Sequence, residues 1–395
     1  MSEFTVGVPR DAGELDALAS ILVQVYSISE GLPYAQRWFE RAGQRNLRVL
    51  LRGGGSVAGG LLVMPLGQWF GGRPVPMAGI AAVAVAPEHR GGGAGTALMR
   101  GTLAGLRADG FPLSALYPAT QTLYRRAGYE RAGLELHHAL PAKAIDVRER
   151  DGTVRRATEA DAPAIVACCR RRAAATNGNL ERSDYVWTRV RDGRPGVAHG
   201  YVVDEGGEVT GYVYYVHRQA PDGTPDLWCT DLAATTPRAA RRLLGFLADH
   251  RSLAGKVGWR GAPNDPLLAQ LPEQRDATTS VHSVWMLRIL DVPAAMTARG
   301  WSSGVSAEVH LDVADDLFED NAGRWVLRVE AGGATCERGG RGDLRIDVRG
   351  LAALYSSWAG PGDLVASGLA EGPESAIAAA ACAFAGPVPW MADHF

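Results

Sequence analysis

Lysine is nearly missing from this 395-residue chain: of its 41 basic residues, only Lys143 and Lys256 are lysine and the rest are arginine. Such a skew can mark a nucleic-acid binder. Here the arginines are spread along the chain and offset by 43 acidic residues, for a formal net charge of −2. No global field then draws the protein to nucleic acid or to an anionic membrane, and coding bias in a GC-rich genome explains the skew more simply. Cysteine is scarce as well. Cys168, Cys169, Cys229, Cys336 and Cys382 form no C-x-x-C pair, so reduced, packed thiols in a cytoplasm are expected rather than a disulfide framework. His137 and His138 have no Cys or Asp ligand near them in sequence, and no metal is expected. Long apolar runs are also lacking. The longest small-apolar stretch, Ala78 to Pro87, is about half of the ~20 residues that span a bilayer. Met1 to Asp16 is polar and acidic where a secretory leader needs an apolar core, so no membrane partner is expected.

What is present alternates between helical and extended patterns over a length that suits two or three domains. Asp11 to Val25 carries Leu15, Leu18, Ile21, Leu22 and Val25 as a helical stripe behind acidic residues. Val49 to Leu51, the glycines at 53–55 and Val57 to Met64 read as a hairpin, and Ile80 to Val85 as a further strand. Thr96 to Leu106 is again helical. The order then recurs: a helix after Arg155, a hairpin from Tyr201 to Val216, a strand from Leu227 to Leu232 and a helix from Pro237 to Leu247. One α/β fold repeated in tandem is the simplest account. From about Leu287 the pattern changes to an α+β domain. Its strands are expected at Val305 to Val313, Trp325 to Glu330 and Asp343 to Val348, and its helices near Leu351 to Ser357 and Ser375 to Phe384. The final Pro389-Trp390-Met391-Ala392-Asp393-His394-Phe395 is too aromatic for a disordered tail and reads as a segment that docks.

The strongest chemical signal is Ile80-Ala81-Ala82-Val83-Ala84-Val85 followed by Arg90-Gly91-Gly92-Gly93-Ala94-Gly95-Thr96. A strand runs into an Arg-x-x-Gly-x-Gly turn that opens a helix. The first amides of a helix have no partner within it and can point at a pyrophosphate, helped by the helix dipole. Glycine keeps Cβ atoms out of the way, and Arg90 can add a charged contact. A Walker loop needs Gly-Lys-Ser/Thr, and no lysine precedes Thr96. A dinucleotide fingerprint needs an acid at a strand end about twenty residues on, whereas Asp109 sits in a polar loop. A purely structural glycine turn stays open as the alternative.

The turn resembles that of the GNAT (GCN5-related N-acetyltransferase) superfamily. So does Tyr124-Arg125-Arg126-Ala127-Gly128-Tyr129, which matches the superfamily's Tyr-x-x-x-Gly-Phe/Tyr segment. The resemblance implies that Tyr124 protonates the departing thiolate, with Tyr117 and Tyr129 as reserve donors; a merely packed tyrosine is the alternative. Over the whole chain, Ala84-Val85-Ala86-Pro87, Leu287-Arg288-Ile289, Val292-Pro293-Ala294-Ala295 and Phe395 are similar to the Eis (enhanced intracellular survival) acetyltransferases. That implies tandem GNAT folds of the α/β (α+β) class, each a mixed β-sheet flanked by helices, plus a sterol-carrier-protein-like C-terminal domain. The boundaries would be 1–150 (catalytic), 151–286 (degenerate) and 287–395. Acetyl-CoA would lie between strand ends at Val83, Ala84 and Val85 and at Ala119 and Thr120, with its pyrophosphate on Arg90 to Thr96.

The α-carboxylate of Phe395 would act toward a small-molecule amine, in a homo-oligomer, by resemblance a hexamer. In the second repeat, Thr235-Thr236-Pro237-Arg238-Ala239-Ala240 holds no glycine and should not bind a phosphate. Ile28, Tyr117 and His394 stand where the family can carry Glu or Asp, His and Glu. A less cationic or more aromatic acceptor than an aminoglycoside is therefore admitted. An O-acyltransferase, a transferase of a bulkier acyl-CoA and a non-catalytic acyl-CoA sensor remain alternatives.

Overall fold

The computed structural model describes residues 4–53, 55–192, 198–219 and 223–395. Met1 to Glu3 of the polar first segment and Gly54 of the first hairpin turn lie outside the described residues. The first repeat comprises β1 (Phe4–Gly7), α1 (Ala12–Tyr26), α2 (Gly31–Ala42), β2 (Leu47–Arg52), β3 (Ser56–Phe70), β4 (Arg73–Val85), α3 (Ala94–Ala108), β5 (Leu113–Leu116), α4 (Gln121–Arg125) and β6 (Glu130–Pro141). The second comprises β7 (Thr153–Arg156), α5 (Ala162–Ala174), β8 (Leu180–Glu181), α6 (Asp184–Asp192), β9 (His199–Glu205), β10 (Glu208–Gln219), β11 (Pro225–Ala234), α7 (Pro237–Ala248), β12 (Lys256–Gly261) and β13 (Thr278–Ile289). The last part holds α8 (Val292–Ala298), β14 (Ala307–Ala314), β15 (Gly323–Glu330), β16 (Gly333–Arg338), β17 (Leu344–Asp347), α9 (Val348–Tyr355), α10 (Pro361–Ala366), β18 (Ala370–Glu371) and α11 (Glu374–Ala383).

Local chemistry explains where elements start. The Asp11 carboxylate accepts from the Glu14 amide at 2.9 Å and opens α1. That helix buries Leu18, Ala19, Ile21 and Leu22, the stripe read from the sequence. Val348 was expected to end a strand. Instead Asp347 accepts from the Arg349 amide at 2.8 Å and caps α9, so the strand stops one residue earlier. β3 and β4 run well past the expected 57–64 and 80–85, because Met64 to Phe70 pairs with Arg73 to Gly79 in a long hairpin.

Twelve strands lie in one sheet in the order β1-β2-β3-β4-β5-β13-β6-β12-β11-β10-β9-β7, with β8 pairing to β3. The two repeats are interleaved at the centre. β13 pairs through Met286 to Ile289 with β5 and through Thr278 to Leu287 with β6, so it fills a place inside the first repeat. β6 in turn pairs through Leu136 to Pro141 with β12. Trp285, Met286, Leu287 and Ile289 are fully buried, as a strand covered on both faces requires. The last part forms a separate five-stranded sheet, β16-β15-β14-β17-β18. It is joined to β13 by a buried Arg288–Asp315 pair at 2.7 and 2.8 Å. Two α/β units that share one mixed sheet and a separate α+β domain are thus assembled, the architecture that the resemblance implied. Among the described residues, no single helix is long and apolar enough to cross a membrane.

Candidate active site

β4 and β5 run parallel and pair only from Met77/Leu113 to Ile80/Leu116. Beyond Ile80 the two strands part, for a visible reason. Against β3 the register slips by one residue between Leu62/Ala81 and Gly60/Ala84, a bulge at which Ala82 adopts φ 51°. The bulge turns Val83 to Val85 away from β5. Tyr26, at the end of α1, donates from its hydroxyl to the Val83 carbonyl at 3.1 Å. On the other side of the gap, Ala119 and Thr120 are exposed in the loop that leads into α4.

The glycine turn follows β4 as read. Gly91 and Gly93 have φ of 81° and 84°, a region that side chains avoid, so their identity is set by backbone conformation. A Cβ at Gly91, Gly92 or Gly93 would meet nothing within 4 Å, which leaves the surface of the turn open. Gly93 is the N-cap of α3 and offers no capping side chain, and the amides of Ala94, Gly95 and Thr96 find no acceptor among the described residues. Arg90 donates from Nε to the Val85 carbonyl at 3.2 Å, which lays its guanidinium beside this helix end. The second repeat inverts each of these features. Thr236 caps α7 by accepting from the Ala239 amide at 3.0 Å, and its hydroxyl donates to Glu205 at 2.9 Å. A carboxylate already sits where a phosphate would be welcome.

The three tyrosines separate cleanly. Tyr124, on α4, is buried and its hydroxyl has no hydrogen-bond partner among the described residues; burial first, then the nearby Tyr26, pushes its pKa up to about 12. Tyr129 is a core residue, fully buried and bonded to Ser114 Oγ at 2.7 Å. Tyr117 donates to the Asp393 carbonyl at 2.8 Å, so neither reserve donor is free. Gly128 has φ 83° and a Cβ there would lie 2.6 Å from the Arg288 guanidinium, which explains the glycine of the Tyr-x-x-x-Gly-Tyr segment.

The docking expected of the last residues takes place within the chain itself. Met391 donates to the Leu134 carbonyl at 2.9 Å, and the Leu134 amide donates to Pro389 at 3.1 Å. Asn179 holds the Trp390 carbonyl and the Ala392 amide, both at 3.2 Å. Asp393 is paired to buried Arg182 at 2.9 Å. Arg182 also binds Asp231, itself paired to Arg172 at 2.9 Å and accepting from the Tyr212 hydroxyl at 2.5 Å. Burial would raise the Asp231 carboxyl, but Arg172 and Arg182 outweigh it and hold it below the ordinary range. His394 stacks on Tyr117 with ring centres 4.1 Å apart, and Phe395 meets Tyr117 edge-on at 5.6 Å. The Phe395 ring lies against Gly79, beside the point where β4 and β5 part.

Beside this tail opens a cleft of about 750 Å³ between α2, α6 and the strands of the second repeat. Behind Arg260 and His394, which line it, lies the buried Glu135, a residue the sequence did not single out. It accepts from Arg260 Nε at 2.7 Å and is bonded to His137 at 3.0 Å and to His394 at 2.8 Å. Burial would raise this carboxyl, but those three bonds hold it below the usual range. Glu135, His137 and His282 also bring ligand atoms within 4.8 Å of one another, a group that could hold a metal ion. Sequence spacing could not reveal it, because His282 arrives on β13. The one local signal was Glu135 two residues before His137 on β6, a spacing that puts both side chains on one face of the strand.

The chain matches the family described as Acetyltransferase (GNAT) domain twice, over residues 9–132 and 178–289, and the Sterol carrier protein domain over 292–392. It is 33% identical over 344 residues to an uncharacterized N-acetyltransferase of Streptomyces coelicolor, covering 82% of each chain. A GCN5-related N-acetyltransferase from Anabaena variabilis is 36% identical with a TM-score of 0.94, over 99% of this chain and 100% of that one. Eis1 from Mycobacterium abscessus shares the fold at 22% identity, with a TM-score of 0.81 over 99% of this chain and 100% of that one.

Proposed function

The chain belongs to the GCN5-related N-acetyltransferase superfamily, and from that premise we propose that it moves an acetyl group from acetyl-CoA to a primary amine of a small molecule by direct attack. The uncapped start of α3 behind the parted strands β4 and β5 carries this reading. The pyrophosphate takes the amides of Ala94 to Thr96 with Arg90 alongside, and the pantetheine amides pair with Val83 to Val85 as another strand would. Residues 1–150 carry the chemistry, 151–286 wall the acceptor cleft, and 287–395 deliver the tail. Similarity to Eis extends the reading to a cytoplasmic homo-hexamer, which light scattering would test.

The amine attacks as the neutral base, and a thioester needs no metal to accept it. With its pKa pushed up to about 12, Tyr124 is a phenol at any working pH. Full proton transfer to a thiolate of pKa about 8.5 would run uphill by roughly 5 kcal/mol. Tyr124 therefore stabilises the leaving sulfur as a hydrogen-bond donor, and the final proton comes from the amine or from water. We assign the α-carboxylate of Phe395 to the ammonium, orienting it and relaying its proton through water, because a carboxylate near pKa 3.5 is a weak base for an amine. Calorimetry with coenzyme A and a thiol-release assay over amines and alcohols test the proposal. Absence of coenzyme A binding would sink it. Release with alcohols alone would make it an O-acyltransferase, and binding without release a sensor. Amidating Phe395, or adding one residue after it, is expected to cripple turnover with coenzyme A affinity unchanged.

A further inference from the structure

The cleft beside the tail has an electrostatic character that the general reaction does not require. Trp228 of β11 forms part of its wall, with Arg218 of β10 lying over the indole at 4.4 Å and Arg260 of β12 at 5.6 Å. The two guanidinium groups are not equivalent. Arg260 is tied through Nε to Glu135, and no bond occupies its remaining nitrogens among the described residues. Arg218 is half-buried and has no carboxylate partner among the described residues. Burial, then the nearby Arg260, lowers its pKa, so the two cations repel in a partly dry place. Arg37, Arg41 and Arg189 also line the cleft, against Asp184 and Asp192. Asp393 does not offset them, because its charge is matched by Arg182.

We infer that the acceptor amine carries an oxyanion, a carboxylate or a phosphate, which docks between Arg218 and Arg260 over Trp228 while the amine faces Phe395. An oxyanion bridging the two groups would gain charge-assisted hydrogen bonds from both and remove their mutual repulsion. Planar guanidinium forks suit carboxylate and phosphate geometry. A polycationic acceptor would meet this wall with like charge. The inference rests on the acyltransferase reading and narrows its substrate class.

The test is calorimetry on the full chain, with and without coenzyme A, using benzoate and inorganic phosphate as probes. Saturable binding of at least one oxyanion is expected, weakened at least ten-fold by Arg218→Ala and partly restored by Arg218→Lys. The tighter probe identifies the kind of anion. In the thiol-release assay, phenylalanine or phosphoethanolamine should show a KM at least ten-fold below that of phenylalanine methyl ester or spermine. No saturable binding of either oxyanion, binding indifferent to Arg218→Ala, or a lower KM for spermine would overturn the inference. Coenzyme A binding reads the acyltransferase assignment separately and should be equal in wild type and Arg218→Ala. Its loss in both proteins would strike that assignment.

Discussion

Removing the hydroxyl of Tyr124 tests the site at a single atom. Tyr124→Phe keeps the ring in its apolar place and is expected to lower kcat about a hundred-fold, with the KM for acetyl-CoA within about two-fold. The raised pKa also sets a sign. Because folding disfavours the ionised phenol, its contribution to stability is complete below about pH 10 and fades as pH rises through about 12. The pH–rate profile should then show no falling limb from Tyr124 below about pH 11. A limb near pH 9 that survives in Tyr124→Phe belongs to another group, and one that vanishes contradicts the assignment. Asp231 gives the opposite sign. Its carboxyl is held below the ordinary value, so its contribution is present above about pH 4 and is lost only as pH falls further. Asp231→Asn leaves Arg172 and Arg182 short of a buried counter-charge, and thermal or urea unfolding should report a loss of about 3–5 kcal/mol.

The glycine turn and its helix respond to substitution in two distinguishable ways. Gly91 and Gly93 stand at positive φ, so Gly91→Ala or Gly93→Ala forces a left-handed alanine at about 1–2 kcal/mol each. No side-chain clash adds to that cost, since the Cβ would meet nothing within 4 Å. Gly92 is not at positive φ. Gly92→Ala should leave the melting temperature almost unmoved while its methyl obstructs the diphosphate, and calorimetry should show weaker coenzyme A binding. Equal effects of all three substitutions on stability and affinity would refute this division. The capped α7 shows the same element closed: Thr236 and Glu205 satisfy internally what α3 leaves open.

Interleaving of the two repeats makes the large sheet one cooperative body. β13 completes the first repeat and β6 borders the second, so neither is closed without a strand from the other stretch of chain. A chain cut after residue 277 loses the buried Trp285, Met286, Leu287 and Ile289 and leaves β5 with an open edge. It is expected to be insoluble or to lack a cooperative melting transition by circular dichroism. A soluble, cooperatively melting fragment would show that the first repeat closes alone. The tail depends on the same assembly, because Leu134 on β6 and the 177–179 loop hold it from two directions.

Tyr124 entered by resemblance and the fold repeat by the recurrence of element order, whereas local chemistry made the turn, its flanking strand and helix, and the glycine-free loop of the second repeat legible in the linear sequence. Each of these local features depends on residues within one or two turns of one another, where backbone conformation and spacing decide. The parting of β4 from β5 could be expected, but its cause, a bulge at Ala82, appears only in register with β3. The removal of Tyr117 and Tyr129 as donors, the tail's path and the meeting of Glu135 with Arg260, His394 and His282 were not readable at all. Those partners lie more than a hundred residues apart in places, and β13 had to enter between β5 and β6 before they could face one another. Electrostatics of the cleft depend on which charges become neighbours, and a string of residues with a net charge of −2 does not disclose that one wall of the cleft is lined with arginine.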